Sequence, residues 1–179
     1  MQIESVAVFC GSNNGQSPLF SSHAAELGKL IALLSLKLIY GGGNKGLMKV
    51  LADAALQHNG HVIGIIPGML TEREHQHQGL SELMVVPDMH TRKKMMYELC
   101  DAAIVLPGGF GTLDEMFEML TWNQLKIHDK KLFVLNSGGY FRHLQQHLLL
   151  AEKEGFLYEA LSERIHFCDS PVEIFNRID

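Results

Sequence analysis

Positive charge is in the minority in this chain. Its 15 Lys and Arg are outnumbered by 20 Asp and Glu, a net charge of −5, and no basic run is longer than Arg92-Lys93-Lys94. A sequence-independent nucleic-acid binder needs clustered Lys and Arg, so that class is set aside. Cysteine is scarce. Cys10, Cys100 and Cys168 are odd in number, widely spaced and without a C-x-x-C, which argues against a disulfide framework or a thiolate zinc site. Long apolar runs are missing too, and Met1 leads almost directly into an apolar strand with no basic leading region or cleavage site, so the chain reads as cytoplasmic with no membrane partner. No G-x-x-x-x-G-K-[ST] and no G-x-S-x-G occurs, and the G-x-G-x-x-G spacing does not follow the first strand, so P-loop, serine-hydrolase and NAD readings are weak.

With no low-complexity segment and 46% hydrophobic content, residues 1–179 read as one globular domain able to bury a proper core. Short apolar runs alternate with amphipathic stretches. Strands are expected at Ser5 to Cys10, Leu36 to Tyr40, His61 to Ile66, Glu82 to Val86, Ala102 to Leu106, Lys131 to Leu135 and Arg164 to Cys168. Between them, Phe20, Ala24, Leu27, Ile31 and Leu34 recur at helical spacing, as do Leu47, Val50, Leu51, Ala54 and Ala55. This alternation predicts a Rossmann-like, doubly wound parallel sheet with helices on both faces. Ligands of such sheets bind beyond the carboxyl ends of the strands, where Gly11-Ser12, Gly41 to Gly46 and Gly108 to Thr112 would lie.

Asp101 to Asn123 organises the rest. A buried strand is stopped by Pro107. Gly108, Gly109 and Gly111 then leave three positions in four without a Cβ, and a helix opening at Thr112 would aim free N–H groups at an anion. The bland alternative is that Thr112-x-x-Glu115 is a capping box. Just upstream, the helix from Asp88 to Asp101 puts Arg92 inside the arc of Met89, Met96, Leu99 and Cys100, with Lys93 at its edge. A buried cation needs a partner. Either Arg92 forms a structural salt bridge to a core carboxylate or it projects past the sheet edge to hold an anion. From Pro67 to Gly79 the periodicity fails. His75-x-His77 lacks a third ligand, and solvated loop histidines are the expectation there, with no metal and no cofactor.

The residues also carry a resemblance. Pro107-Gly-Gly-Phe-Gly-Thr-Leu-Asp-Glu115 preceded by Met89-His-Thr-Arg92-Lys93 resembles the paired motif of the Lonely Guy (LOG) family of cytokinin riboside 5′-monophosphate phosphoribohydrolases, whose bacterial members were long labelled possible lysine decarboxylases. Tyr40-Gly-Gly-Gly-Asn-Lys-Gly-Leu-Met48, Arg73-Glu74, Thr121 to Asp129 and Asn136 to Tyr140 are similar as well, so the likeness runs from the first strand to about residue 150. Phe110 stands where the family often has tyrosine, and Asp114 where it often has glutamate. The resemblance implies hydrolysis of a purine nucleoside 5′-monophosphate to free base and ribose 5-phosphate, by a homodimer or higher homo-oligomer. It further implies that Arg92 and Glu115 are the catalytic pair, and that Glu74, Arg92, Lys93, Gly109, Phe110, Gly111 and Thr112, together with Gly42, Gly43, Gly11 and Ser12, bind the substrate. A non-catalytic nucleotide or cofactor carrier, such as the related molybdenum-cofactor carriers, would use the same glycine loops without turnover, whereas a PLP-dependent decarboxylase, the inherited label, needs a Schiff-base lysine on a much larger scaffold.

Overall fold

The computed structural model describes residues 3–71 and 76–178. Seven parallel strands form one sheet: β1 (Ser5–Phe9), β2 (Lys37–Tyr40), β3 (Val62–Pro67), β4 (Glu82–Val86), β5 (Ala102–Val105), β6 (Leu132–Leu135) and β7 (Ile165–Cys168), in spatial order β4-β3-β2-β1-β5-β6-β7. Every expected strand is present, with boundaries moved by no more than a residue at either end. The helices are α1 (Pro18–Leu33), α2 (Gly46–Gln57), α3 (Met89–Leu99), α4 (Phe110–Gln124), α5 (Arg142–Lys153) and α6 (Pro171–Ile178). β1, β5 and β6 are buried at every position, and continuous apolar strands of this kind belong in a sheet covered on both faces.

Two core layers follow from the pleat. Val6 and Val8 of β1, with Leu38, Tyr40 and Ile104, pack under α1, α2 and α6. Ala7, Phe9, Ile39 and Val105 pack against α3, α4 and α5 through Met96, Tyr97, Met116 and Leu148. Helices α1 and α2 approach so closely that a Cβ on Gly28 would sit 2.3 Å from the Leu51 carbonyl oxygen. Ala24, Leu27 and Ile31 of the expected stripe are buried, but Leu34 falls just past the end of α1 and is exposed. In α3 the buried set is Arg92, Lys93, Met96 and Tyr97, and Leu99 at the C-terminal end is turned outward. Among the described residues no helix is long and apolar enough to cross a membrane.

The strand order reverses beside β1. It runs to β2, β3 and β4 on one side and to β5, β6 and β7 on the other, so the loops leaving β1 and β5 diverge and leave a crevice at their carboxyl ends. Three hydrogen bonds hold the rim. Gly11 N–H donates to the Pro107 carbonyl at 3.0 Å, Leu47 N–H donates to the Gly11 carbonyl at 3.1 Å, and the Tyr140 hydroxyl donates to the Gly108 carbonyl at 2.7 Å.

Candidate active site

The crevice is a cavity of about 460 Å³, within the usual range of roughly 300–1,000 Å³ for small-molecule sites. Its floor and walls come from the β1 loop, from Gly41 at the end of β2, from Met89 and Arg92 of α3, and from Pro107 to Thr112 with Asp114 and Glu115.

Helix α4 starts two residues earlier than its sequence indicates. Gly109 is the N-cap, with φ −95° and ψ −149° and no side-chain cap, and the first helical hydrogen bond runs from Leu113 N–H to the Gly109 carbonyl at 3.1 Å. The N–H groups of Phe110, Gly111 and Thr112 therefore precede the ladder and carry the positive end of the helix dipole. A Cβ on Gly109 or Gly111 would meet nothing within 4 Å, so this face is open to a guest. The shift also removes the capping-box alternative. Thr112 sits inside the first turn and Glu115 one turn further on, buried at 8% exposure on the cavity side.

Arg92 is 6% exposed. Its Nε–H donates to the Ile65 carbonyl at 3.1 Å and an Nη2–H donates to the Gly41 carbonyl at 3.0 Å, while Nη1 lies 3.8 Å from the Met89 sulfur. Among the described residues Arg92 forms no ion pair, so the expected alternative of a structural salt bridge is not what these residues show. Backbone dipoles at the ends of β2 and β3 hold the guanidinium, and among the described residues two of its five N–H groups, beyond these two bonds and the Met89 contact, are left for a ligand.

Lys93 behaves differently from what its motif suggests. Its ammonium does not line the cavity. It is buried between Asp114 Oδ2 at 3.0 Å and Glu118 Oε2 at 2.8 Å, tying α3 to α4. Burial alone would lower its pKa, but the hydrogen bonds it donates to Glu118 and Asp114 outweigh that and hold it raised. The Tyr97 hydroxyl joins the same group, 2.9 Å from Glu118 Oε2 and 3.1 Å from the Glu115 carbonyl oxygen, and burial followed by the charge of Glu118 pushes its pKa far up.

Gly11 and Ser12 line the cavity as expected, as do Gly109, Phe110, Gly111 and Thr112. Gly42 and Gly43 do not. The Gly41-Gly42-Gly43-Asn44-Lys45-Gly46 turn has G-x-G-x-x-G spacing, after β2 rather than β1, yet it is filled with the protein's own atoms. Gly42 has φ +72° and accepts from His77 N–H at 3.0 Å, and Gly43 bridges to Gln76. His77 is not a solvated loop histidine. It is 9% exposed, accepts from Gly79 N–H at Nδ1, and donates from Nε2 to Asp53 Oδ1 at 2.8 Å. Glu74, expected to contact substrate, lies outside the described residues, as do Arg73 and His75. Among the described residues no group of three or more His, Cys, Asp or Glu could hold a metal ion.

Cavity residues outside the expected substrate-binding set include Asn13, Asn14, Phe20, Met48, Met89 and Tyr140, and Gly41 lines it where only its turn had been singled out. The signal for Tyr140 lay inside the Asn136 to Tyr140 motif. Nothing local marked Gly41 apart from its neighbours. Trp122 of α4 packs against Tyr97 with ring centroids 5.2 Å apart and beside His128 at 6.1 Å; Phe117 is left at 39% exposure.

Fold and site together define a doubly wound α/β protein with a small-molecule cleft at the switch point of its sheet, walled by a helix N-terminus, a buried arginine and a buried carboxylate. The chain belongs to the family described as possible lysine decarboxylase, the LOG family, whose model matches residues 48–178. It is 46% identical over 166 residues to a cytokinin riboside 5′-monophosphate phosphoribohydrolase of Rhodococcoides fascians, covering 92% of this chain and 84% of the relative. It is 39% identical over 183 residues to an enzyme of the same name from Arabidopsis thaliana, covering 100% and 86%. Among solved structures, a molybdenum cofactor binding protein from Rippkaea orientalis superimposes with a TM-score of 0.72 at 25% identity, covering 99% and 98% of the two chains. A molybdenum cofactor carrier protein of Chlamydomonas reinhardtii gives 0.75 at 18% identity, covering 99% and 96%.

Proposed function

We propose that the protein hydrolyses the N-glycosidic bond of a purine nucleoside 5′-monophosphate, with adenine or an N6-substituted adenine as base, to free base and ribose 5-phosphate. The observation that carries this is the convergence of the α4 N-terminal amides, Arg92 and Glu115 on one cavity. The names of the relatives support the reaction class.

In this reading the amides of Phe110, Gly111 and Thr112 hold the 5′-phosphate dianion, as a helix N-terminus favours. Cleavage develops positive charge on the ribose ring. Glu115 stabilises that cation and takes a proton from the water that attacks C1′. The base departs with the electron pair of the C1′–N bond and takes a proton from solvent, and Glu115 returns its proton to solvent to restore the carboxylate. Arg92 serves either the phosphate or the departing base through its remaining N–H groups. Lys93 acts at one remove, by holding Asp114 and Glu118 on the helix that carries Glu115. No lysine is found among the described residues that line the cavity, which weighs against Schiff-base chemistry there. The protein works as a homo-oligomer, at least a dimer, and sedimentation giving a monomer at micromolar concentration would contradict that.

A second reading, a carrier that binds a cofactor without turnover, is favoured by the superposition on the two molybdenum-cofactor proteins. One assay separates the two. Base release is measured from AMP, N6-isopentenyl AMP and the other common monophosphates. Multiple turnovers on an adenine nucleotide support hydrolysis, and tight retention of ligand with no free base supports the carrier.

A further inference from the structure

The geometry points to Gly41 as a positioning residue whose missing side chain is the seat of the Arg92 guanidinium. The inference rests on the reading of Arg92 as a substrate-contacting group. It adds the device that aims it.

A Cβ built on Gly41 would lie 1.8 Å from Arg92 Nη2 and 3.0 Å from its Cζ, with the Met48 sulfur next at 3.2 Å. Gly41 is not among the glycines with positive φ, so its backbone tolerates an L side chain. Its neighbour Gly42 differs in kind, since φ +72° would strain any substitution there. The requirement at residue 41 is therefore one of space. What fills that space is the far end of a flexible side chain, not backbone.

The filled space has a chemical purpose. The Gly41 and Ile65 carbonyls are acceptors at the carboxyl ends of two adjacent strands, and together they take Nη2–H at 3.0 Å and Nε–H at 3.1 Å. Two neutral acceptors fix the plane and direction of the guanidinium without cancelling its charge, as a carboxylate would. Arg92 is thus buried, oriented and still cationic toward the cavity that both residues line. A methyl at residue 41 evicts the Nη2 end, breaks its bond to the Gly41 carbonyl and turns the fork away. The sheet is left intact.

The test is a double-mutant cycle of Gly41→Ala and Arg92→Ala, read by kcat/KM on AMP, by thermal midpoint and by the ¹H–¹⁵N signal of the Arg92 Nε–H. Gly41→Ala is expected to lower kcat/KM on the order of a hundredfold, close to the loss from Arg92→Ala, and to shift or broaden the Nε–H signal. In the Arg92→Ala background the added methyl costs no further activity and little stability, because the guanidinium it would strike is gone and only the flexible Met48 side chain, its sulfur 3.2 Å away, has to give. Three results would overturn the inference: full activity and an unmoved Nε–H signal in Gly41→Ala, additive losses in the double variant, or failure of the double variant to fold. If Arg92→Ala itself keeps full activity, the catalytic reading of Arg92 fails, while the Nε–H signal still decides whether Gly41 seats the guanidinium.

Discussion

Two glycine turns stand at the carboxyl edge of the same sheet, and they use the missing Cβ in opposite ways. At Gly109 and Gly111 the space is empty within 4 Å and faces the cavity. At Gly41 and Gly46 it is occupied by the protein, by Arg92 in one case and by the Ser12 and Asn13 backbone at 2.3 Å in the other. A glycine run therefore signals close approach but does not name the guest. In the first turn Gly109 and Gly111 leave that space to the cavity, although a Cβ on Gly108 would strike Thr112, and in the second it is taken by another part of the chain.

The largest expected effect lies on the helix of the open turn. Glu115→Gln should fold normally, because the amide keeps the size and shape of the side chain, and should bind nucleoside monophosphate with little change. It should lose ~3 kcal/mol or more of transition-state stabilisation, a hundredfold or greater fall in kcat. Steady-state kinetics beside a direct binding titration checks this.

The contrast between the turns predicts a crossed result. Gly111→Val, placed in open space, should leave the urea midpoint almost unchanged and raise KM on the order of tenfold, by filling the seat of the phosphate. Gly46→Ala, at φ +55° against fixed backbone, should cost about 2 kcal/mol of stability before any effect on affinity is seen. If both variants lose mainly stability, or both mainly affinity, the distinction between the turns is wrong.

A smaller effect is expected at Lys93, which joins α3 to α4 outside the cavity. Lys93→Met should lower stability by about 1 kcal/mol, with a change in kcat larger than any change in KM. Because the Lys93 pKa is raised in the folded state, its contribution is fully present below the ordinary lysine pKa and is lost as pH rises through the folded value. Urea midpoints of parent and variant should therefore converge in strong alkali. A rise in KM without a fall in kcat would instead return Lys93 to the substrate.

The fold was readable in the chain because each strand is a short apolar run and each helix a periodic stripe, and these local signals fix the alternation. The buried cation at Arg92 was readable from its helix face, and the open turn from Gly109 and Gly111. The alternatives were not resolvable there. Whether Lys93 faces the nucleotide or Asp114 and Glu118 depends on where α4 crosses α3, and the start of α4 at Phe110 instead of Thr112 depends on how Pro107 turns the chain. His77 looked like a solvated loop residue because its partner, Asp53, is 24 positions away on α2. Gly41 was hidden among its neighbours because its role is set by a side chain 51 positions later.

The central claim is that the open turn holds a 5′-phosphate while chemistry proceeds at C1′. The most direct measurement is kcat/KM for base release from AMP and from adenosine by the unmodified protein. Adenosine lacks the dianion that the amides of Phe110, Gly111 and Thr112 are placed to hold, so it should be cleaved at least a hundredfold more slowly, by about 3 kcal/mol of lost binding expressed in the transition state. Equal rates on the two substrates would contradict the account, because the helix N-terminus would then have no part in the reaction.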